Sequence, residues 1–279
     1  MQYGVFVQTS NVFSTLSREL EHRMFRLPEL KLFAARILCS TLPGWIVSKR
    51  FGNRIPYCGH VVDLSAAPVP FATYASIYWG IYESAERRFI LKYLKPDLAV
   101  IELGASLGAI TSVIASRLQP KIELISVEAN PSLEKSVMSN LRLNASHLAY
   151  TLHSAAIGYQ ESHVDFQIAD DNLNSSVRTV SSNGKSEKSV RVACIRLSDL
   201  VESLSVRQYQ LVCDIEGMEW EVVRHDAKAL ESCFQIILES HDSKGNGSAK
   251  DLLPKIKKLG FELVDSFGNV AVFRRSRTD

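Results

Sequence analysis

Four groups of residues place carboxylates at the end of an apolar run, three of them near glycine or histidine. Glu102, Gly104, Ala105, Ser106 and Gly108 follow Val100-Ile101. Glu128-Ala129-Asn130-Pro131 follows the run 122–127, roughly two dozen residues after Gly104. Asp214-Ile215-Glu216-Gly217-Met218-Glu219 follows Leu211-Val212, and Glu239-Ser240-His241 ends a further apolar run. Glycines that lead into a helix let the backbone approach a ligand, and an acid tipping the next strand takes the two hydroxyls of a ribose. The spacing is not the G-x-G-x-x-G of dinucleotide sites. A carboxylate immediately before the turn, Glu102, repels a pyrophosphate but suits a ligand carrying an ammonium and a sulfonium. The first two groups therefore point to S-adenosylmethionine rather than NAD. The residues expected around it are Glu102, Gly104, Ala105, Ser106, Gly108, Glu128, Ala129 and Asn130. Asp214 joins them, as does Ala155, just past a strand expected at 149–153.

Methyl transfer from a sulfonium is an in-line displacement, so the protein must align the acceptor with the methyl and exclude water. A hydroxyl is a poor nucleophile until its proton is taken, and it needs a base or a cation within hydrogen-bond reach. Asp214, Glu216, Glu239 and His241 are the catalytic candidates. They can serve as a base set. Alternatively Asp214, Glu216 and Glu239 can hold a divalent metal that acidifies the hydroxyl. Direct proton transfer is the simpler expectation, because no metal-ligand spacing stands out and histidine is a poor magnesium ligand. Asp214 and Glu216 would also suit the N-terminus of a following helix.

These groups must sit at the ends of strands. Strands are expected at 98–103, 122–127, 149–153, 211–215 and 234–238, with helices at 108–118 and 131–143 and a weaker one after Met218. The runs are apolar on both faces, which means a parallel sheet covered on both sides. Open sheets of this kind bind ligands beyond the carboxyl ends of their strands, where the four groups lie. Residues 260–264 and 270–273 are joined by a turn containing Gly268-Asn269, so the last strand enters antiparallel. One antiparallel strand on such a sheet is a feature of S-adenosylmethionine-dependent methyltransferases, by analogy of fold. Upstream, helical spacing is expected at 11–24 and 30–40, a small hairpin from 46–48 and 55–64, and a linker at 66–71. A helix at 84–94 is expected to turn Glu83, Glu86, Arg87 and Arg88 outward. Residues 170–189, rich in Asn, Ser and Gly, are expected to form a loop between strands at 164–168 and 190–194.

The chain has 279 residues and a net charge of +2, with 46% hydrophobic and 22% charged residues, an ordinary globular balance. A charge near zero argues against general nucleic-acid binding. Before Asp63 the bases Arg18, Arg23, Arg26, Lys31, Arg36, Lys49, Arg50 and Arg54 face Glu19, Glu21 and Glu29. That excess would suit a peripheral contact with an anionic membrane, or a solvated helix surface. The five cysteines include no C-x-x-C, which argues against a disulfide framework or a zinc site. The start lacks a charged and then apolar leader, and 32–48 falls short of the roughly 20 apolar residues a bilayer needs, so a cytoplasmic protein is expected.

The combination of I-E-L-G-A-S-L-G from Ile101, V-E-A-N-P with N-L-R-L-N, R-L-S-D-L from Arg196, D-I-E-G-M-E from Asp214 and L-E-S-H from Leu238 resembles the FkbM family of S-adenosylmethionine-dependent methyltransferases. The resemblance runs over residues 82–273, and D-x-E-G-x-E is its most specific part. It implies a class I methyltransferase fold with a seven-stranded sheet ordered 3-2-1-4-5-7-6. It also implies O-methylation of a hydroxyl on a sugar, glycolipid or polyketide-type natural product. Ser106, Ala129 and Cys213 stand where the family usually has Asn, Pro and Lys. A domain of residues 66–279 is expected behind a helical and hairpin extension of residues 1–65, with acceptor choice in that extension and in 170–189. The alternatives are a non-catalytic module binding S-adenosylmethionine or a glycan and, more remotely, a dinucleotide oxidoreductase.

Overall fold

The computed structural model of the chain describes residues 28–168, 176–177, 188–242 and 247–276. In chain order the elements begin with α1 (Pro28–Leu38), α2 (Thr41–Phe51), β1 (Arg54–Tyr57), β2 (His60–Asp63), α3 (Phe71–Tyr78) and α4 (Ser84–Tyr93). Next come β3 (Ala99–Leu103), α5 (Ala109–Arg117), β4 (Glu123–Glu128), α6 (Glu134–Asn144), β5 (Ala149–Ser154), β6 (Ala156–Ile157), β7 (His163–Ile168), β8 (Ser176–Val177) and β9 (Lys188–Ile195). The rest are α7 (Leu197–Ser203), β10 (Tyr209–Cys213), α8 (Glu219–His225), α9 (Ala227–Leu230), β11 (Cys233–Glu239), α10 (Ala249–Lys258), β12 (Phe261–Phe267) and β13 (Val270–Arg275).

Seven strands form the central sheet in the order β12-β13-β11-β10-β3-β4-β5. Numbered within that sheet and read from β5, the order is 3-2-1-4-5-7-6, as the resemblance implies. β13 runs antiparallel to both β11 and β12, and the other pairings are parallel. Alternate residues of each strand feed two cores. Val100, Leu124, Val212, Ile237 and Val272 pack on one side with α4, α5 and α6. Ile101, Ile125, Leu211, Ile236 and Phe273 pack on the other with α7 to α10. That alternation, apolar on both faces, buries a parallel sheet under helices on each side. A second, four-stranded sheet of β6, β9, β7 and β8 flanks it, supplying the strands expected near 164–168 and 190–194.

The N-terminal part departs from expectation in two ways. Residues 46–48 are not a strand but lie inside α2. Three alternating residues are too few to tell strand from helix, and a close crossing decides the matter: a Cβ on Gly44 would stand 1.6 Å from the carbonyl oxygen of Phe71 at the start of α3. The hairpin is β1–β2, turned by Cys58 and Gly59 at φ 49° and 94°, as a tight two-residue turn requires. Nor is the hairpin separate from the rest of the chain. Ile55, Tyr57, Val62 and Leu64 are buried in the same core as Val100 and Val212. Asn140 of α6 accepts the Asp63 N–H at 2.8 Å and donates to its carbonyl at 3.1 Å. The helix expected at 11–24 lies outside the described residues, as does most of 170–189.

Candidate active site

The strand order puts the ends of β3, β4 and β10 side by side, and the turns there interlock. Gly104 and Ala105 donate N–H bonds to the Val127 carbonyl at 2.9 and 3.0 Å, and Asp214 donates to Leu103 at 2.9 Å. Gly104 has φ +91°, and a Cβ there would lie 1.8 Å from the carbonyl oxygen of Asp214. Glycine is therefore demanded here by the neighbouring strand end. At Gly108, φ +81°, a Cβ would lie 2.9 Å from Asn140 Cβ, so that glycine serves the packing of α5 on α6. Gly108 does not line the cavity.

Glu128 ties the two turns together. One of its oxygens accepts the Ser106 N–H at 2.6 Å and the other the Asn130 N–H at 2.7 Å. A carboxylate has about four acceptor sites, so lone pairs remain for ribose hydroxyls. Burial raises its pKa, against the opposing bonds from Asn130 and Ser106. Glu102 behaves differently from the sequence expectation. It is buried, does not line the cavity, and accepts hydrogen bonds from Thr111 at 2.8 Å and Ser126 at 2.6 Å. It fastens α5 to β3 and β4 from below the turn. Burial lifts it to about 7 in spite of those two hydroxyls.

A cavity of about 480 Å³ opens over these strand ends. On the β4–β5 side its wall includes Ser106, Glu128, Ala129, Asn130, Leu133 and Ala155; Gly104 and Ala105 line it at the β3 turn. On the β10–β11 side the wall includes Asp214, Glu216 and Glu239. Three further residues face it from the start of α4: Tyr82, Glu83 and Glu86. Tyr82 shares a hydrogen bond with Ser106 Oγ at 3.2 Å. Helical spacing puts Glu86 on the outer face of its helix, yet it is 4% exposed. The helix turns that face toward the sheet's carboxyl edge rather than to solvent. Among the described residues no lysine, arginine or histidine lines this cavity.

His241 gathers the carboxylates from behind. Its Nδ1 is 3.0 Å from Glu219 Oε1, and its Nε2 is 3.7 Å from Asp214, Glu216 and Glu239 alike. Glu219, which opens α8, also accepts the Ile215 N–H at 3.2 Å. Burial pushes Asp214 up to about 8, helped by the charges of Glu239 and Glu83 and opposed by His241. Burial, then Glu239 and Glu216, lift Glu83 to about 7. Burial alone would lower His241, but the hydrogen bond and charge of Glu219 with the charges of Asp214 and Glu216 hold it at about 9. Glu86 stands well above its ordinary range, through burial first and Asp214 next. The structure thus brings together all four catalytic candidates and adds Tyr82, Glu83, Glu86 and Glu219. Glu219 sits within the D-x-E-G-x-E run, so only its role went unread. The other three have no local signature: Glu83 and Glu86 are acids at a helix start, which are ordinarily solvated, and Tyr82 is a single aromatic outside any motif.

Residues 102–263 match the model of the methyltransferase FkbM domain. No curated protein sequence matches the chain. Among solved structures, the N-terminal domain of EvdMO1 with SAH bound is 11% identical, with 85% of this chain and 95% of that one covered and a TM-score of 0.43. The ribosomal protein L11 methylase from Lactobacillus delbrueckii subsp. bulgaricus is 11% identical over 71% of this chain and 80% of that one, at a TM-score of 0.40. Precorrin-6y C5,15-methyltransferase from Geobacter metallireducens GS-15 is 15% identical over 67% and 86%, at 0.39.

Proposed function

The chain belongs to the family of FkbM methyltransferases, and from that premise we propose that it moves a methyl group from S-adenosylmethionine to a hydroxyl of a sugar, glycolipid or natural product. The observation that carries the proposal is the pairing of Glu128 with the acidic wall across one cavity. Glu128 retains lone pairs for the ribose, while Gly104, Ala105 and Ser106 offer a turn for the amino-acid end. Ala129, Asn130 and Ala155 offer small surfaces to the base. The donor set fits S-adenosylmethionine, which when bound supplies an electrophilic methyl on a sulfonium. One of Asp214, Glu216 and Glu239 accepts the hydrogen bond of the acceptor hydroxyl and takes its single proton, with the other two polarising it, as that oxygen takes the methyl from sulfur. His241 does not line the cavity and is bonded to Glu219, so it positions the carboxylates. The test is incubation of the full chain with S-adenosylmethionine and hydroxylated glycans, with products mapped by mass spectrometry. A methyl ether is expected. Methylation only at nitrogen or carbon would overturn the hydroxyl assignment, and cofactor binding with no methyl transfer would favour the non-catalytic module.

We also propose that residues 1–65 bring the enzyme to an anionic lipid surface in the cytoplasm. The division at residue 65 is one of role, since the hairpin shares the main core. Among the described residues no helix is long and apolar enough to cross a membrane. However, α1 and α2 expose Phe33 at 62%, Leu42 at 67% and Ile46 at 55%, together with Trp45. Lys49 lies 5.8 Å over the Trp45 ring, and Arg36 and Arg50 are close by in sequence. Apolar side chains interspersed with bases are the makings of an interfacial helix pair. The full chain should sediment with phosphatidylserine vesicles, less so in high salt. Leu42→Ser with Trp45→Ser should abolish that without altering cofactor binding. A chain that stays in the supernatant at low salt would overturn the proposal.

A further inference from the structure

We propose that Glu83, Asp214 and Glu239 form a site for one hard divalent cation such as Mg²⁺ or Mn²⁺, with Glu86 completing the wall. One carboxylate oxygen from each of the three lies within 4.8 Å of the others. Oxygens around a single octahedral Mg²⁺ stand about 3 to 4.2 Å apart, so small side-chain movements close the set. The residues come from three separate elements, the start of α4 and the ends of β10 and β11, and the fold holds all three at one mouth.

Two observations beyond the clustering of acids point to a ligand. Glu86 is 4% exposed, faces the same cavity, and makes no hydrogen bond or ion pair among the described residues. Asp214 Oδ1 is buried without a hydrogen-bond partner, and its cationic neighbour among the described residues is His241 Nε2 at 3.7 Å. Buried charges are normally paired or coordinate a metal. His241, behind the wall, is shared at 3.7 Å by Asp214, Glu216 and Glu239, and among the described residues the cavity lining itself holds no basic side chain. A second grouping, Asp214 with Glu219 and His241, also has atoms within reach of one ion. It is the weaker candidate, because His241 Nδ1 is already 3.0 Å from Glu219 Oε1 and that contact would have to open. An all-oxygen set selects Mg²⁺, Mn²⁺ or Ca²⁺ over softer metals.

The sequence alone suggests Asp214, Glu216 and Glu239 as the ligands. Glu83 replaces Glu216, leaving Glu216 uncoordinated and able to take a proton. For its role, though not for binding itself, the site rests on the methyltransferase function proposed for this cavity. An ion here neutralises the wall, and a hydroxyl-bearing acceptor can supply one of its remaining ligands, which lowers the hydroxyl's pKa.

The test is an Mn²⁺ titration of chelator-treated full chain, without cofactor or acceptor, following free Mn²⁺ by electron paramagnetic resonance. One ion per chain is expected, displaced by excess Mg²⁺. Glu83→Gln and Glu239→Gln should each weaken binding at least about tenfold, whereas Glu123→Gln, away from the cavity, should not. Calorimetry with S-adenosylmethionine on Glu83→Gln should still show binding, which establishes that the variant is folded. Absence of Mn²⁺ binding, or affinity unchanged in both variants, overturns the site: protons or the cofactor's own ammonium then balance the wall. Mn²⁺ binding with turnover that survives EDTA overturns the catalytic role. Failure of the wild-type chain to bind S-adenosylmethionine would instead strike at the methyltransferase function and leave the cation result standing.

Discussion

Asp214→Asn is expected to lower kcat by about 10²–10⁴-fold, the range ascribed to a positioned proton acceptor, while S-adenosylmethionine affinity stays within a few-fold. The substitution keeps the shape and removes the charge. The backbone of Asp214, which bonds Leu103 and abuts Gly104, is untouched. What is lost is a carboxylate that lines the cavity beside Glu83, Glu216 and Glu239. The result holds whether that carboxylate takes the proton itself or binds an ion that acidifies the hydroxyl. His241→Ala should lower kcat as well, because it removes the ring lying within 3.7 Å of three wall carboxylates. Rates and affinities on both variants decide the matter. Near wild-type turnover in both would make these residues structural and the D-x-E-G-x-E acids helix caps. An affinity loss in Asp214→Asn as large as the rate loss would move Asp214 from the chemistry to the holding of the cofactor.

Glu128→Ala is expected to lower S-adenosylmethionine affinity at least tenfold. Each hydrogen bond from a ribose hydroxyl to a carboxylate contributes about 1.5–3 kcal/mol, and tenfold corresponds to about 1.4 kcal/mol. The same substitution leaves the N–H groups of Ser106 and Asn130 without their acceptor, so the turn should loosen as well. Glu128→Gln retains an acceptor for one of those N–H groups and should fall between wild type and alanine. Calorimetry on the three proteins tests the order. Unchanged affinity in Glu128→Ala would remove this residue from the cofactor site.

The parts of the site that could be read from sequence are those that lie at strand ends in short runs. The glycine turn at 104, the acid at 128 and the acids at 214, 216 and 239 each follow an apolar run whose length and β-branched content mark a strand. The Gly268-Asn269 turn likewise announces the hairpin that puts β13 antiparallel beside β11. The features that escaped depend on contacts between distant segments. Glu86 reads as a solvated helix acid because burial of a charge is unfavourable unless something compensates it, and nothing within α4 says that the cavity lies on that side. Glu83 and Tyr82 escaped for the same reason. Position alone puts Glu102 against the cofactor, whereas Thr111 and Ser126 reach it from behind. The requirement for glycine at 104 comes from the Asp214 carbonyl, 110 residues further along the chain.

The most direct test is calorimetry of the full wild-type chain with S-adenosylmethionine and, separately, with NAD. One S-adenosylmethionine per chain, bound more tightly than NAD, is the expected result. Tighter binding of NAD, or no binding of S-adenosylmethionine, would contradict the assignment of the cavity.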